Sequence, residues 1–320
     1  MSIISLAVFV LVQILFIPLA ILGIILVGYR QMVISKKLGI SQTAVEVING
    51  RWAMHVFDLR LDKATADLAA VLPNTSLFGL WLALFPLWLK YKISGKLFLY
   101  PRVPQEGKEG LQDLVTTRTL YFDRIIEQRL TETEQFVVMG AGYDTRAYGI
   151  FLHKGLTFEI DQAIVQEHKR AALSKAGIQS DNVRYIAVDF SKESAFDKLQ
   201  EAGYDRSRKT LFLWEGVTLY LSESDVRKTM QDVRDRAAPG SILLADFYAD
   251  RLVNLGKSAV GKKALDYTNE GFGFSLPFAN NYKKVLADFV ESESLSVNEA
   301  FFMGHENNAG PFAVIAEMRV

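Results

Sequence analysis

Apolar residues run almost unbroken from Ile3 to Val27, interrupted only by Ser5, Gln13 and Pro18, and the first charge is Arg30. About 20 apolar residues suffice to cross the ~30 Å hydrocarbon core, so the run predicts a transmembrane helix. A cleaved signal peptide would need a basic start, a shorter core and a small-residue cleavage site; the chain begins Met-Ser-Ile-Ile. Residues 31–70 carry apolar positions at helical spacing with charges between them. The segment 77-LFGLWLALFPLWLKYK-92 is too short in uncharged residues to span. Its tryptophans and closing Lys-Tyr-Lys suit either an interfacial helix or the core helix of a small cap.

Residues 101–112 (PRVPQEGKEGLQ) are rich in Pro, Gly and charge and mark a domain boundary. Beyond them the pattern alternates. Helices are predicted over 113–130, from about 145, over 162–175, near 192–202 and over 223–236. Strands are predicted over 136–139, 156–160, 183–188, 210–214 and 241–247. Strands separated by helices of 10–15 residues imply βαβ units and a mostly parallel, Rossmann-like sheet. Two closing strand-like runs, 295–302 and 311–318, flank 304-GHENNAG-310 and read as an antiparallel hairpin at the sheet edge. The expected organisation is an anchor over 1–30, a helical cap over 31–112 and an α/β domain over 113–320.

Composition narrows the function classes. Lys+Arg and Asp+Glu both number 36, so no cationic excess points to nucleic acid. There is no cysteine, which excludes disulfides, thiolate metal sites and cysteine nucleophiles. His55, His153, His168 and His305 show no metal-ligand spacing, and no metal site is expected. Half the residues are hydrophobic and the mean hydropathy is +0.13. Basic residues follow the first apolar run and none precede it, which predicts a single-pass membrane protein with its catalytic domain in the cytoplasm.

In a parallel α/β sheet the ligand lies beyond the carboxyl ends of the strands. The first predicted strand ends in Gly140-Ala141-Gly142, where glycines permit a sharp turn and a close ligand approach. The others end in 158-FEID-161, 186-IAVDF-190, 212-FLWEG-216 and 244-LADF-247. Asp161 lies 19 residues past Gly142, the spacing of a ribose-binding acid. Asp189 and Phe190 suit an adenine, and Glu215 lies nearer the middle of the crevice. A dinucleotide fingerprint would need glycine at position 145, which is Thr. The run 256-GKSAVGKK-263 misses the hydroxyl of a P-loop and reads as a solvated basic loop. S-adenosylmethionine needs the glycine turn and the two acids, with no pyrophosphate cradle.

The pieces 118-RTLYFD-123, 139-MGAGYDTRAY-148, 159-EID-161, 188-VDF-190 and 214-WEGVTLYL-221 together resemble the leucine carboxyl methyltransferase family of class I S-adenosylmethionine-dependent methyltransferases. The resemblance runs over roughly 115–320. It implies that Arg118 pairs with the carboxylate of the cofactor's methionine end, above the Gly140-Ala141-Gly142 turn. It also implies Asp161 on the ribose, Asp189 and Phe190 around the adenine, Glu215 near the cofactor's amino group or the acceptor, and Tyr220 on the acceptor side. Glu215 and Tyr220 are the catalytic candidates. There are departures from the family pattern: Leu120 stands where a second Arg is usual, and 270-EGFGFSLP-277, matching a loop that borders the acceptor pocket, lacks the usual Trp or Arg. The expected activity is methylation of a carboxyl or hydroxyl group on a small or lipid-like acceptor, held at a membrane through residues 3–29. An NAD-type oxidoreductase and a non-catalytic membrane-tethered module of the same fold are the rivals.

Overall fold

The computed structural model describes residues 3–151, 155–189, 193–256 and 271–320. They form two compact units. One comprises residues 1–103, 143–150 and 168–179, and the other residues 104–142, 151–167 and 180–320.

The first unit is helical. It contains α1 (Ile3–Gly28), α2 (Ser35–Leu38), α3 (Gln42–Val56), α4 (Lys63–Val71) and α5 (Leu77–Ser94). Side chains that accept backbone N–H bonds start three of them: Ser41 from Thr43, Asp62 from Thr65 and Ser76 from Gly79. Glycines in the left-handed conformation, Gly39 and Gly95, end α2 and α5. Aromatic contacts tie α5 to α3, with Trp52 edge-on to Trp81 at 5.6 Å and Phe57 beside Tyr91.

The helix expected from about 145 is absent; residues 146–150 form a turn. The side chains at its start are bound elsewhere. Asp144 accepts from the Arg146 N–H at 2.8 Å and pairs with Arg51 of α3. Thr145 donates to Asp62 at 2.8 Å, and Asp62 also holds Arg60 and Thr65. These carboxylates are buried and carry their ionic partners with them, as buried charges must. The guanidinium groups of Arg146 and Arg51 outweigh the burial that works against the Asp144 charge, and hold its pKa far below the usual carboxylate value. Local helix capping loses to this tertiary network.

The second unit carries a seven-stranded sheet in the order β3-β2-β1-β4-β5-β7-β6. The strands are β1 (Gln135–Met139), β2 (Leu156–Asp161), β3 (Val183–Ala187), β4 (Thr210–Trp214), β5 (Ile242–Tyr248), β6 (Ser296–Met303) and β7 (Ala313–Arg319). The first five are parallel, and β7 runs antiparallel between β5 and β6. This is the mostly parallel sheet with a closing hairpin that the sequence predicts. Strands β1, β4 and β5 are buried at every position because both faces are covered. Alternate residues serve the two faces. Val137, Phe212 and Leu243 pack with Phe196 of α8 (Ala195–Glu201), Met230 of α9 (Glu223–Arg236) and Phe289 of α11 (Tyr282–Ser292). Val138, Leu213 and Leu244 pack with Phe122 and Ile126 of α6 (Leu114–Arg129). Helices α7 (Ala163–Lys175) and α10 (Asp250–Gly256) complete the order.

Candidate active site

The strand order reverses between β1 and β4, the place where a ligand crevice opens in such sheets. The turn leaving β1 is built for that place. Gly140 and Gly142 have φ of +70° and +43°, conformations that L side chains rarely adopt. A Cβ on Gly140 would lie 2.3 Å from Cγ2 of Val217, in the turn leaving β4. The two turns therefore touch.

The backbone N–H groups of the β1 turn are already used. Gly140 and Ala141 donate to the Ile160 carbonyl at 2.8 and 3.1 Å. Gly142 donates to Oδ2 of Asp161 at 2.6 Å, and Oδ1 accepts from the Gln162 N–H at 2.7 Å. Asp161, the last residue of β2, thus fixes the turn of β1. Asp189 is half-buried just beyond β3, where Val188 donates to the Asp161 carbonyl at 2.9 Å. Phe190 lies outside the described residues, as do His153, Glu270 and residues 257–263 of the basic run.

Arg118 of α6 gathers the other acids. Its Nε lies 3.1 Å from Oε1 of Glu215 and its Nη1 lies 3.3 Å from Oδ2 of Asp246. Nη1 also donates at 2.6 Å to the hydroxyl of Tyr248, which in turn donates to Asp246 at 2.6 Å. Oδ1 of Asp246 accepts from the Gly216 N–H at 2.9 Å. Burial pushes the Asp246 carboxyl above its ordinary pKa and the Tyr248 hydroxyl far above its own. Burial also works against the Arg118 charge, but Tyr248, Glu215 and Asp246 outweigh it and hold the guanidinium charged. Gly216, at φ +71°, brings its backbone so close that a Cβ would lie 3.2 Å from Nη1 of Arg118.

Two of these residues escape the sequence reading. Asp246 is visible there only as one more acid near a strand end, and it lies inside β5. Tyr248 carries no sequence signal; it is found only because alternate β5 residues, Asp246 and Tyr248, meet the same arginine. Tyr220 stands in a single helical turn, Thr218–Tyr220, with its ring 5.8 Å from that of Phe272. The loop carrying Phe272 is pinned there, because Gly273 donates to the Leu219 carbonyl at 2.8 Å. A Cβ on Gly273 would lie 2.1 Å from the Leu221 carbonyl oxygen, so only glycine fits. Among the described residues no group of three or more His, Asp or Glu is placed to hold a metal ion.

The site is therefore acidic. Asp161, Asp189, Glu215 and Asp246 stand at or beside the ends of β2, β3, β4 and β5, with Arg118 paired to the last two. Such a set favours a ligand that carries positive charge and disfavours a pyrophosphate. The turn does so independently, since no helix follows it to offer an N-terminus and its first three N–H groups are taken.

Comparison with known proteins finds methyltransferases. A protein of Mycobacteroides abscessus described as "Putative S-adenosyl-L-methionine-dependent methyltransferase" is 35% identical over 129 residues, covering 39% of this chain and 43% of that relative. One of Saccharopolyspora erythraea with the same description is 32% identical over 187 residues, covering 55% and 63%. The chain thus spans about half the length of the curated relatives it matches. A solved structure described as a "putative methyltransferase" from Thermobifida fusca aligns at 16% identity and a TM-score of 0.47, covering 83% of this chain and 93% of that one. Residues 95–234, from the end of the helical unit through β4 and α9, match the model of the family described as leucine carboxyl methyltransferase. Through these residues the chain is similar to the leucine carboxyl methyltransferase family.

Proposed function

We propose that the protein is a membrane-bound S-adenosylmethionine-dependent O-methyltransferase acting on a carboxyl or hydroxyl group of a small or lipid-like acceptor. The observation that carries the reading is the set of acids at the ends of four strands, Asp161, Asp189, Glu215 and Asp246, the last two paired with Arg118. S-adenosylmethionine brings a sulfonium and an ammonium against a single carboxylate, and its net positive charge suits a site with four acids and one arginine. The glycine turn supports the fit, because its close backbone approach leaves room without demanding a phosphate.

In this reading Gly140, Ala141 and Gly142 lie under the methionine end and Arg118 takes its carboxylate through Nη2. Asp161 accepts from the ribose hydroxyls and Asp189 from the adenine amine, with Phe190 beside the ring. The cofactor supplies a methyl group made electrophilic by the sulfonium. The protein's part is to align the acceptor and exclude water. A carboxylate acceptor needs no base. A hydroxyl acceptor does, and Glu215, or else Tyr220, is the group to take its proton. Residues 3–29 hold the chain at the membrane, with the catalytic unit on the cytoplasmic side, so an apolar acceptor is close at hand.

The test is methyl incorporation. Purified full-length protein is incubated with methyl-labelled S-adenosylmethionine and an extract of membrane lipids and small molecules. Base-labile label in an extractable product supports carboxyl methylation, and base-stable label supports an ether. No transfer to any fraction refutes the proposed activity.

A further inference from the structure

We infer that α1 lies in the plane of the membrane, embedded in one leaflet, and does not cross the bilayer. The inference rests on the membrane attachment proposed above and concerns its geometry.

Helix α1 is apolar all round, yet it is covered along one stripe only. Ser5, Phe9 and Gly23 are buried, while Leu11, Leu15, Ile24 and Ile25 are 60–76% exposed. The covered stripe runs antiparallel along α5. Gly23 meets Gly79, the Phe16 ring stacks on Phe85 at 4.9 Å, and Phe9 meets Phe98 at 5.5 Å. The backbones touch: a Cβ on Gly23 would lie 2.4 Å from the Gly79 carbonyl oxygen and 3.1 Å from the Ala83 nitrogen. Small residues four apart, Gly79 and Ala83, permit this approach, as at helix contacts within lipid.

The opposite side of α5 decides the orientation. There Trp52 of α3 packs on Trp81, and the residues just past the end of α3 follow, Phe57 by Tyr91 and Asp58 paired with Lys92 at 2.7 Å. From Gly23 to Phe9, about 21 Å at 1.5 Å per residue, α1 is held against α5 and Phe98. If α1 stood along the membrane normal, α5 would sink to the same depth. The half-exposed Asp58–Lys92 pair would enter the hydrocarbon. Ionised side chains there cost several kcal/mol each. Laid flat, α1 puts its exposed aliphatic face into the acyl region and keeps those charges at or above the surface.

Charge supports a lipid surface as the occupant. Exposed cations flank both ends of the helix pair, Arg30, Lys36 and Lys37 at one and Lys92 and Lys96 at the other. Basic groups so placed meet anionic headgroups. A second copy of the chain would present the same cations to itself.

The chain has no cysteine, so single cysteines at Leu6, Leu15 and Ile24 allow specific spin labelling of the full-length protein. In vesicles of phosphatidylcholine and phosphatidylglycerol, power saturation with oxygen and a water-soluble nickel complex reads the depth of each label. The expected result is one shared depth, about 5–10 Å below the headgroups. A profile deepest at Leu15 and shallow at Leu6 and Ile24 overturns the in-plane geometry and leaves membrane attachment standing. Nickel access at all three overturns both. Labels shielded from both reagents, with spin–spin broadening, mean that a second copy covers the face, and also overturn the proposal.

Discussion

Replacing Gly140 with alanine tests the contact between the turns leaving β1 and β4. Two costs follow from the structure. At φ +70° an L side chain pays roughly 1–2 kcal/mol for the left-handed conformation. The new Cβ also falls 2.3 Å from Cγ2 of Val217, far inside the ~3.5–4.0 Å of an ordinary carbon contact. Overpacking of this kind costs about 1–3 kcal/mol. Gly140→Ala should thus lose about 2–5 kcal/mol, a large part of a typical domain's 5–15 kcal/mol. Because the clash has a single named partner, Val217→Ala should restore its share when combined with Gly140→Ala, leaving only the backbone cost. Urea unfolding followed by tryptophan fluorescence, on all four members of the double-mutant cycle, gives the coupling. Equal losses in the single and double mutants, or an unchanged midpoint for Gly140→Ala, would refute the argument.

Other outcomes follow from the same geometry. Tyr248→Phe removes the hydroxyl between Arg118 and Asp246, leaving buried charged groups short of a partner; a stability loss of about 1–3 kcal/mol is expected from the urea midpoint. Asp161→Ala should weaken S-adenosylhomocysteine binding by about 1–3 kcal/mol in calorimetry, since it frees the Gly142 N–H and removes the proposed ribose acceptor. Burial lowers the pKa of His168 below its ordinary 6.5. Below that value the unfolded chain binds the extra proton and the folded chain resists it, so this contribution to stability should fall as pH drops through the mid-sixes and be fully present above. Comparing thermal midpoints of the wild type and His168→Gln across pH 5–8 isolates that slope.

The sheet was legible because its signal is local. In β1, β4 and β5 short, mostly apolar runs rich in branched and aromatic residues end at turn residues, the pattern of strands covered on both faces. The glycine turn and Asp161 were legible through their spacing alone. What was hidden depends on partners distant in the chain. The turn after Gly142 reads as a helix start, because Asp and Thr are good caps. Its side chains instead bond to Arg51, Asp62 and Thr65, some 80 to 93 residues away. Likewise Asp246 and Tyr248 become site residues only because α6 delivers Arg118 to them across 128 and 130 positions. The apolar run of α1 was plain in the sequence, but its partner was not, since Gly23 meets Gly79 in a distant part of the chain.

The central claim is that the acids around Arg118 form a site for a cationic sulfonium cofactor. Calorimetric titration of the full-length protein in detergent with S-adenosylmethionine, S-adenosylhomocysteine and NAD tests it most directly. The account predicts saturable binding of both sulfur ligands and none of NAD. Binding of NAD without either sulfur ligand, or of none of the three, would contradict it.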